Sequence, residues 1–396
     1  MSDHQINVGA LATLSGPISA DFAPIVSGVR AYFSWVNAHG GVWGRSIVLG
    51  HAADDGGVPS NNAIQARTLV QQDHVFAVVG VATAFFTGAS YLEQTGTPTF
   101  GYATQNDWAG PKNMFAAYGS VVDFSTIGPS IAYVAHRLES HSVAVMSYNV
   151  PQSADACIAA TKSLSNLGVH VGYTDLNVPY GGDVSSDVLR MRQAGVDLVV
   201  SCMDVTGDVQ LARTMHQNGL TGVSQLWLDG YNQSTLHQYA SLMANTYFLV
   251  QHVPFEAVGT FPGRFPGLEN YLEVMHRYAP QDARSEVALE GWLSADLFVR
   301  GLRAAGPHPT QSAVINAINQ IRDYDGGGLI TPVNWAISHT TVTPPSCEAY
   351  VVTGTSSKGV PVFKVTYNQG SQLWVCFPNN GHVDLSKPVP PPPGSP

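Results

Sequence analysis

Charge is what this chain has least of. Its 396 residues include 18 Lys plus Arg and 28 Asp plus Glu, 12% of the chain, about half the ~25% of an ordinary soluble domain. With hydrophobic residues at 44%, that balance excludes intrinsic disorder, which needs high charge and low hydrophobicity. Arg outnumbers Lys thirteen to five, and the cations form no run or helix face. Nucleic acid and anionic membranes are therefore excluded as partners. The formal net charge of −10 is spread along the chain and not gathered in a tail.

Long apolar runs are also missing. The stretch from Val75 to Leu92 has no charge, but Gly80, Thr83, Thr87, Gly88 and Ser90 interrupt it, and Val-Phe-Ala-Val-Val within it reads as a buried strand. The uncharged stretch Thr331–Cys347 contains three prolines and cannot be one membrane helix. The 39 glycines and 25 prolines exclude a coiled coil, so the expectation is a water-soluble chain of about two domains.

Enzyme and metal signatures are absent too. There is no G-x-S-x-G, H-E-x-x-H, P-loop or G-x-G-x-x-G, hence no expected cofactor. The 14 histidines include no H-x-H or i,i+4 pair, and the four cysteines (157, 202, 347, 376) no C-x-x-C, so no metal site is expected. Cys347 and Cys376 flank Val/Tyr/Phe-rich runs that read as neighbouring strands. A disulfide is expected there, implying an oxidising compartment. Cys157 and Cys202 could pair or remain buried thiols. Met1-Ser-Asp-His is polar and reads as no signal peptide, which fits either a cytosolic protein or a chain beginning at a mature start. The tail from Pro388 to Pro396 is expected to be disordered.

What is present is an alternation of two periods. Strands at 6–12, 47–53, 75–81 and 98–102 alternate with helices at 22–38, 59–72 and 86–95. The pattern then restarts: helix 123–138, strand 142–147, helix 152–167, strand 169–174, helix 184–193, strand 197–203, helix 206–218, strand 224–228, helix 233–241 and strand 246–251. Helices at 265–278, 286–304 and 310–321 follow, then a β-rich end. Two successive βα runs predict an α/β chain of two doubly wound, Rossmann-like lobes on parallel sheets.

Ligands of such sheets sit beyond the carboxyl ends of the strands, which directs attention to the loops there. Their aromatics (Phe22, Phe85, Tyr102 and Tyr148 among them) suit the walls of an apolar pocket. Phe86, Trp108 and Tyr231 crowd the same loops, while Trp227, inside a strand, and Trp292 read as core. Asp54-Asp55 reads as a loop whose carboxylate caps the next helix. Asp204 and Asp229 each follow a Val/Leu-rich strand. Either one could receive a ligand ammonium or cap a helix.

Several stretches carry a resemblance: Gly-Ala-Leu-Ala-Thr-Leu-Ser-Gly-Pro (9–17), Asn-Ala-His-Gly-Gly-Val-Trp-Gly-Arg (37–45), Asp-Asp-Gly-Gly-Val-Pro (54–59), Ala-Arg-Thr-Leu-Val-Gln-Gln-Asp from Ala66, Val-Phe-Ala-Val-Val-Gly ending at Gly80, and Gly-Thr-Pro-Thr-Phe from Gly96. Together they resemble the type I periplasmic binding proteins of the branched-chain amino acid (Leu/Ile/Val-binding) class, extracytoplasmic components of ABC importers. The resemblance implies two lobes, 1–120 with 253–331 and 121–252 with 332–387, joined by crossovers near 119–123, 251–254 and 330–333 and closing on a ligand by hinge bending. It implies an extracytoplasmic monomer that hands a small-molecule ligand to a membrane permease.

Carried over position by position, the family's carboxylate-binding hydroxyl falls on Ala84, with Thr83 and Phe85 beside it. Its threonine falls on Thr104 and its carbonyl partner on Tyr102. Two second-lobe aromatics fall on Gln152, near Tyr148, and on Asp204. The ammonium-binding acid falls on Asp229 and the first-loop aromatic on Phe22. Losing two apolar walls and gaining Asp204 argues against a plain Leu/Ile/Val pocket. Thr104 with Asp229 retains zwitterion logic, whereas two acids would suit a cationic or polyhydroxylated ligand. The expectation is import of an amino acid or related small polar metabolite. The alternatives are a ligand-sensing receptor or regulator domain of the same fold, a binder of aromatic, amide or cationic compounds, and an α/β enzyme using the same loops.

Overall fold

The computed structural model describes residues 2, 4–120, 129–341, 346–368, 370, 372–377, 383–391 and 393–396. The first βα run comprises β1 (Gln5–Ala12), α1 (Ser19–Phe22), α2 (Pro24–Ala38), β2 (Ser46–Asp54), α3 (Pro59–Gln71), β3 (Val78–Ala82), α4 (Ala89–Gln94), β4 (Thr99–Gly101) and β5 (Met114–Ala116). The second comprises α5 (Ser130–Arg137), β6 (Val143–Tyr148), α6 (Pro151–Asn166), β7 (Val171–Val178), α7 (Ser185–Gln193), β8 (Leu198–Ser201), α8 (Val205–Gln217), β9 (Ser224–Trp227), α9 (Gln233–Tyr239) and β10 (Thr246–Val250). Four helices follow, α10 (Ala257–Thr260), α11 (Pro266–Tyr278), α12 (Glu286–Ala304) and α13 (Gln311–Ile318), and then β11 (Ser346–Thr355), β12 (Pro361–Thr366) and β13 (Val375–Phe377).

The chain divides into two compact units, Met1–Val122 with Phe265–Val342 and Gly394–Pro396, and Asp123–Arg264 with Thr343–Pro393. In the first, a five-stranded sheet has the order β2-β1-β3-β4-β5 and all its pairs are parallel. The second repeats that winding as β7-β6-β8-β9-β10, then adds β11 and β12 antiparallel at its far edge, with β13 pairing β11. This is the doubly wound α/β class expected from the alternating periods. In a 2-1-3-4-5 order the winding reverses between the first and third strands, and the loops leaving those strands part to form a crevice. The switch points are therefore β1/β3 in one unit and β6/β8 in the other.

Local chemistry explains where the elements depart from the sequence pattern. The helix expected over 22–38 breaks at Ala23 because Pro24, which has no N–H to donate, opens α2 at its first turn. The third strand is regular only from Val78, although the Phe76 amide already donates to the Asn7 carbonyl of β1 (2.7 Å). Strand β5 escaped sequence reading because three residues show no period. The helix expected over 123–138 is seen from Ser130 to Arg137; 123–128 lie outside the described residues, as does part of the crossover expected at 119–123.

Both cysteine pairs are disulfides. Cys347 faces Cys376 in the β11/β13 register, as expected, and Cys157 on α6 is bonded to Cys202 just after β8. The Pro-rich tail is pinned at Val389, whose amide donates to the Cys376 carbonyl (2.8 Å). Among the described residues no helix is long and apolar enough to cross a membrane.

The first unit is closed by α12, buried along most of its length and crossing α2 backbone to backbone. A Cβ at Gly28 would fall 1.8 Å from the Ala288 carbonyl oxygen, and one at Gly291 2.0 Å from that of Ile25. These obstacles are backbone and cannot rotate away. Gly291→Ala is expected to lower stability by about 3 kcal/mol, the upper range for overpacking; a urea midpoint unchanged from wild type would show that the helices are not locked there.

Candidate functional site

In the first unit, the loops after β1, β2 and β3 are tied by one buried carboxylate. Asp55, 1% exposed, accepts hydrogen bonds from the Thr13 hydroxyl (2.7 Å), the Thr83 hydroxyl (2.5 Å), the Asn62 amide (2.8 Å) and the Gly57 backbone N–H (2.8 Å). It is not the N-cap of α3 that the sequence suggested: Val58 holds that position without a side-chain bond. Its neighbour Asp54 accepts from the Ser15 hydroxyl and the Leu14, Ser15 and Gly56 amides. Burial pushes the Asp54 carboxyl up, but those hydrogen bonds outweigh it and hold the group below its ordinary value.

With its hydroxyl committed to Asp55, Thr83 offers its backbone instead. The Thr83 carbonyl accepts from the Gln105 amide (2.5 Å) and the Thr104 hydroxyl (3.4 Å), hanging the loop after β4 on the loop after β3. Ala84 and Phe85 follow Thr83, partly exposed. Phe22 and Tyr102 both pack on the apolar cluster of Ala10, Ala12, Ile25, Val26 and Ala82 at the carboxyl end of the sheet. Six of the expected residues are thereby gathered around the β1/β3 switch point. Phe86 and Trp108 pack against each other in the core, their rings tilted with centroids 5.1 Å apart.

In the second unit the carboxyl end of β6 and the loops after β7 and β8 meet around Asp204. Its carboxylate caps α8, accepting from the Gly207 amide (2.8 Å) while also accepting from the Tyr148 hydroxyl (2.8 Å) and the Tyr180 hydroxyl (3.2 Å). Of its two sequence readings, the cap is the one the structure holds. Gly207 is required here, since a Cβ would lie 2.2 Å from the Tyr148 hydroxyl oxygen. Tyr148 and Tyr180 lie ring against ring at 5.1 Å. Burial, then the charge and hydrogen bond of Asp204, raise the Tyr148 phenol far above its ordinary value, so it stays a donor. The loop is braced from behind, where the Ser153 hydroxyl bridges the Tyr148 amide and the Cys202 carbonyl. Gln152 sits in the first turn of α6, partly exposed.

Asp229 differs from Asp204. It follows β9, is partly exposed, and receives no hydrogen bond among the described residues; burial and then the nearby Asp204 charge push its carboxyl up to about 6. A carboxylate so placed is an unfilled acceptor. Trp227 and Tyr231 are core, with the Tyr231 hydroxyl bonded to Glu256 (2.5 Å), and the Asn232 side chain caps α9. Trp292 is core as well, edge-on to Tyr32 at 4.7 Å.

Sequence reading missed Tyr180, whose only signal was one tyrosine in a Pro-Tyr-Gly-Gly turn, and Glu290. The signal at Glu290 was legible: it is the lone charge between Val287 and Ala295, in a helix otherwise small and apolar there. No group of three or more His, Cys, Asp or Glu able to hold a metal occurs among the described residues. A recess lined by His136, Arg137, His141 and His170 lies at the amino ends of β6 and β7, the opposite end from these loops.

A model of the family described as "Periplasmic binding protein" matches residues 5–359. The chain belongs to that family. Within it, the relatives place this binding protein in the type I, branched-chain amino acid class. It is 24% identical to Leu/Ile/Val-binding protein homolog 7 of Brucella suis, over 78% of this chain and 81% of that protein. The match to Leu/Ile/Val-binding protein homolog 3 of Brucella melitensis, 26% identical, covers 54% of this chain and only 59% of that relative. Two solved structures share the fold. The branched-chain amino acid transporter substrate-binding protein LivJ of Streptococcus pneumoniae, in complex with isoleucine, superposes with a TM-score of 0.74 at 19% identity, covering 91% of this chain and 99% of that one. A solute-binding protein of R. palustris in complex with 4-hydroxybenzoate gives 0.71 at 17% identity, covering 93% and 98%.

Proposed function

We propose that this periplasmic binding protein is the extracytoplasmic solute-capturing component of an ABC importer, delivering an amino acid or related small polar metabolite to a membrane permease. The observation that carries the reading is Asp229: an acceptor without a hydrogen bond among the described residues, at the carboxyl end of a parallel strand, beside the braced Tyr148–Asp204–Tyr180 group. An α-ammonium is the complement of that carboxylate. In the first unit, Thr104 and the backbone of Ala84 and Phe85 are the proposed carboxylate partners, with Phe22 and Tyr102 as apolar walls. Two disulfides support an oxidising compartment.

Calorimetric titration with a panel of amino acids tests this. Asp229→Asn is expected to weaken the best-bound amino acid by about 30- to 100-fold, the value of a charge-assisted contact of 2–3 kcal/mol. An unchanged affinity removes Asp229 from the site. An aromatic or amide solute is the second reading, favoured by the half-exposed Tyr180 ring lying on Tyr148.

A further inference from the structure

Tyr180 stands at the tip of a turn built to hold it. Strand β7 ends at Val178, and residues 179–182 close a tight turn in which the Gly182 amide donates to the Pro179 carbonyl (2.8 Å). Gly181, third in that turn, has φ 69°, the left-handed value that a type II turn requires there and that glycine adopts at least cost. Two bonds fasten the turn to its neighbours. The Asn149 amide donates to the Val178 carbonyl (3.0 Å) on one side, and the Gln210 side chain of α8 donates to the Gly182 carbonyl (2.6 Å) on the other. The ring is then fixed from its far end, where the hydroxyl donates to Asp204 (3.2 Å), and against Tyr148, with centroids 5.1 Å apart and planes inclined by 44°. Tyr180 nevertheless stays 47% exposed. A ring is thus held in place, half in solvent, at the carboxyl end of a parallel strand, where ligands of doubly wound sheets bind.

We propose that Tyr180 is a specificity-determining residue of the solute site, its ring packing on a planar side chain, so that the solute is an aromatic amino acid. This rests on the reading of the chain as an amino acid-binding protein and narrows its substrate class. The Tyr148 and Tyr180 hydroxyls both donate to Asp204, so what the pair offers a solute is ring surface. Aromatic rings packed offset or edge to face gain more than their buried area alone supplies, which favours an aromatic side chain over an aliphatic one. Because the turn, the Asp204 bond and the Tyr148 contact already fix the ring, binding spends little rotamer freedom on ordering it. Asp229, close enough to feel the Asp204 charge, sets the ammonium acceptor beside the same group.

The test is calorimetric titration of L-phenylalanine, L-leucine and hydrocinnamate (phenylalanine without its amine) into wild type, Tyr180→Leu and Tyr180→Phe. Wild type is expected to bind phenylalanine about 10-fold more tightly than leucine. Tyr180→Leu, which keeps apolar bulk but no ring, should lose most of that preference by weakening phenylalanine alone. Tyr180→Phe keeps the ring and should keep the preference. Leucine bound by wild type as tightly as phenylalanine overturns the proposal while leaving the amino-acid reading intact. An unchanged preference in Tyr180→Leu, or equal losses for both ligands, also overturns it, since a merely structural role would act on both. A preference lost in Tyr180→Phe assigns the effect to the hydroxyl and overturns ring packing. Hydrocinnamate bound as tightly as phenylalanine, with the Tyr180→Leu loss intact, supports the ring's role and overturns the amino-acid reading beneath it. Binding of neither amino acid by wild type overturns the aromatic-solute proposal, and failure of a wider amino-acid panel overturns the reading on which it rests.

Discussion

Stability is expected to fall by about 2–3 kcal/mol as pH rises from 6.5 to 8, the reverse of what paired surface carboxylates produce. The sign follows from protons held. Burial raises the Glu290 carboxyl to about 8 and the Glu348 carboxyl to about 7. Across that window the unfolded chain has already lost both protons, while the folded chain gives them up only as pH passes these raised values, so raising pH favours unfolding. Below 6.5 the balance changes. Asp229, raised to about 6, and the two glutamates still favour folding at lower pH, but burial depresses His252 to about 4, and its protonation on unfolding pulls the other way. The three raised acids outweigh that one histidine, so stability keeps rising as pH falls below 6.5 until the same acids begin to protonate in the unfolded chain, at about pH 4–5. Urea melts at pH 6.5 and 8 read the effect directly, and Glu290→Gln should flatten most of the slope. A curve flat or rising across the window would mean that these acids are not protonated in the folded chain.

Asp55→Ala is expected to cost about 3–5 kcal/mol, because it strands buried donors on three loops at once. Thr13, Thr83, Asn62 and the Gly57 amide all lose their acceptor, and no water-exposed alternative exists for Thr13 or Thr83, both buried. The consequence reaches the site, since Thr83 carries the loop holding Thr104 and Gln105. The variant should show a lower urea midpoint together with weakened ligand binding. A midpoint within about 1 kcal/mol of wild type would show that the loops are held by something else.

The architecture was legible because its cause is periodic. Alternating strands and helices of ordinary length specify parallel βα winding, and the glycine and proline positions mark the turns between them. What failed had no period: β5 is three residues long, and Pro24 broke a helix whose apolar stripe runs straight through it. At the site, Asp204 and Asp229 looked alike in sequence, since each follows a strand. Only the tertiary placement of Tyr148 and Tyr180, and the Gly207 amide, separates a satisfied cap from an acceptor with no hydrogen bond among the described residues. Thr83 likewise shows no sign in sequence that its hydroxyl is committed to Asp55, 28 residues away. Glu290 was the exception: a lone charge in an apolar helix was visible, but the phenol facing it comes from Tyr118, far off in the chain.

Low charge overall is what gives the few buried acids their weight, and the account stands or falls on whether they hold a solute. The most direct measurement is to denature the purified protein, identify any released small molecule by mass spectrometry, and titrate that compound, or failing any release the amino-acid panel, back into refolded protein. The account predicts an amine-bearing amino acid or close relative, binding one per chain and recovered chemically unchanged. A compound without an ammonium group, conversion of the compound to a product, or no binding by any of the panel would contradict it.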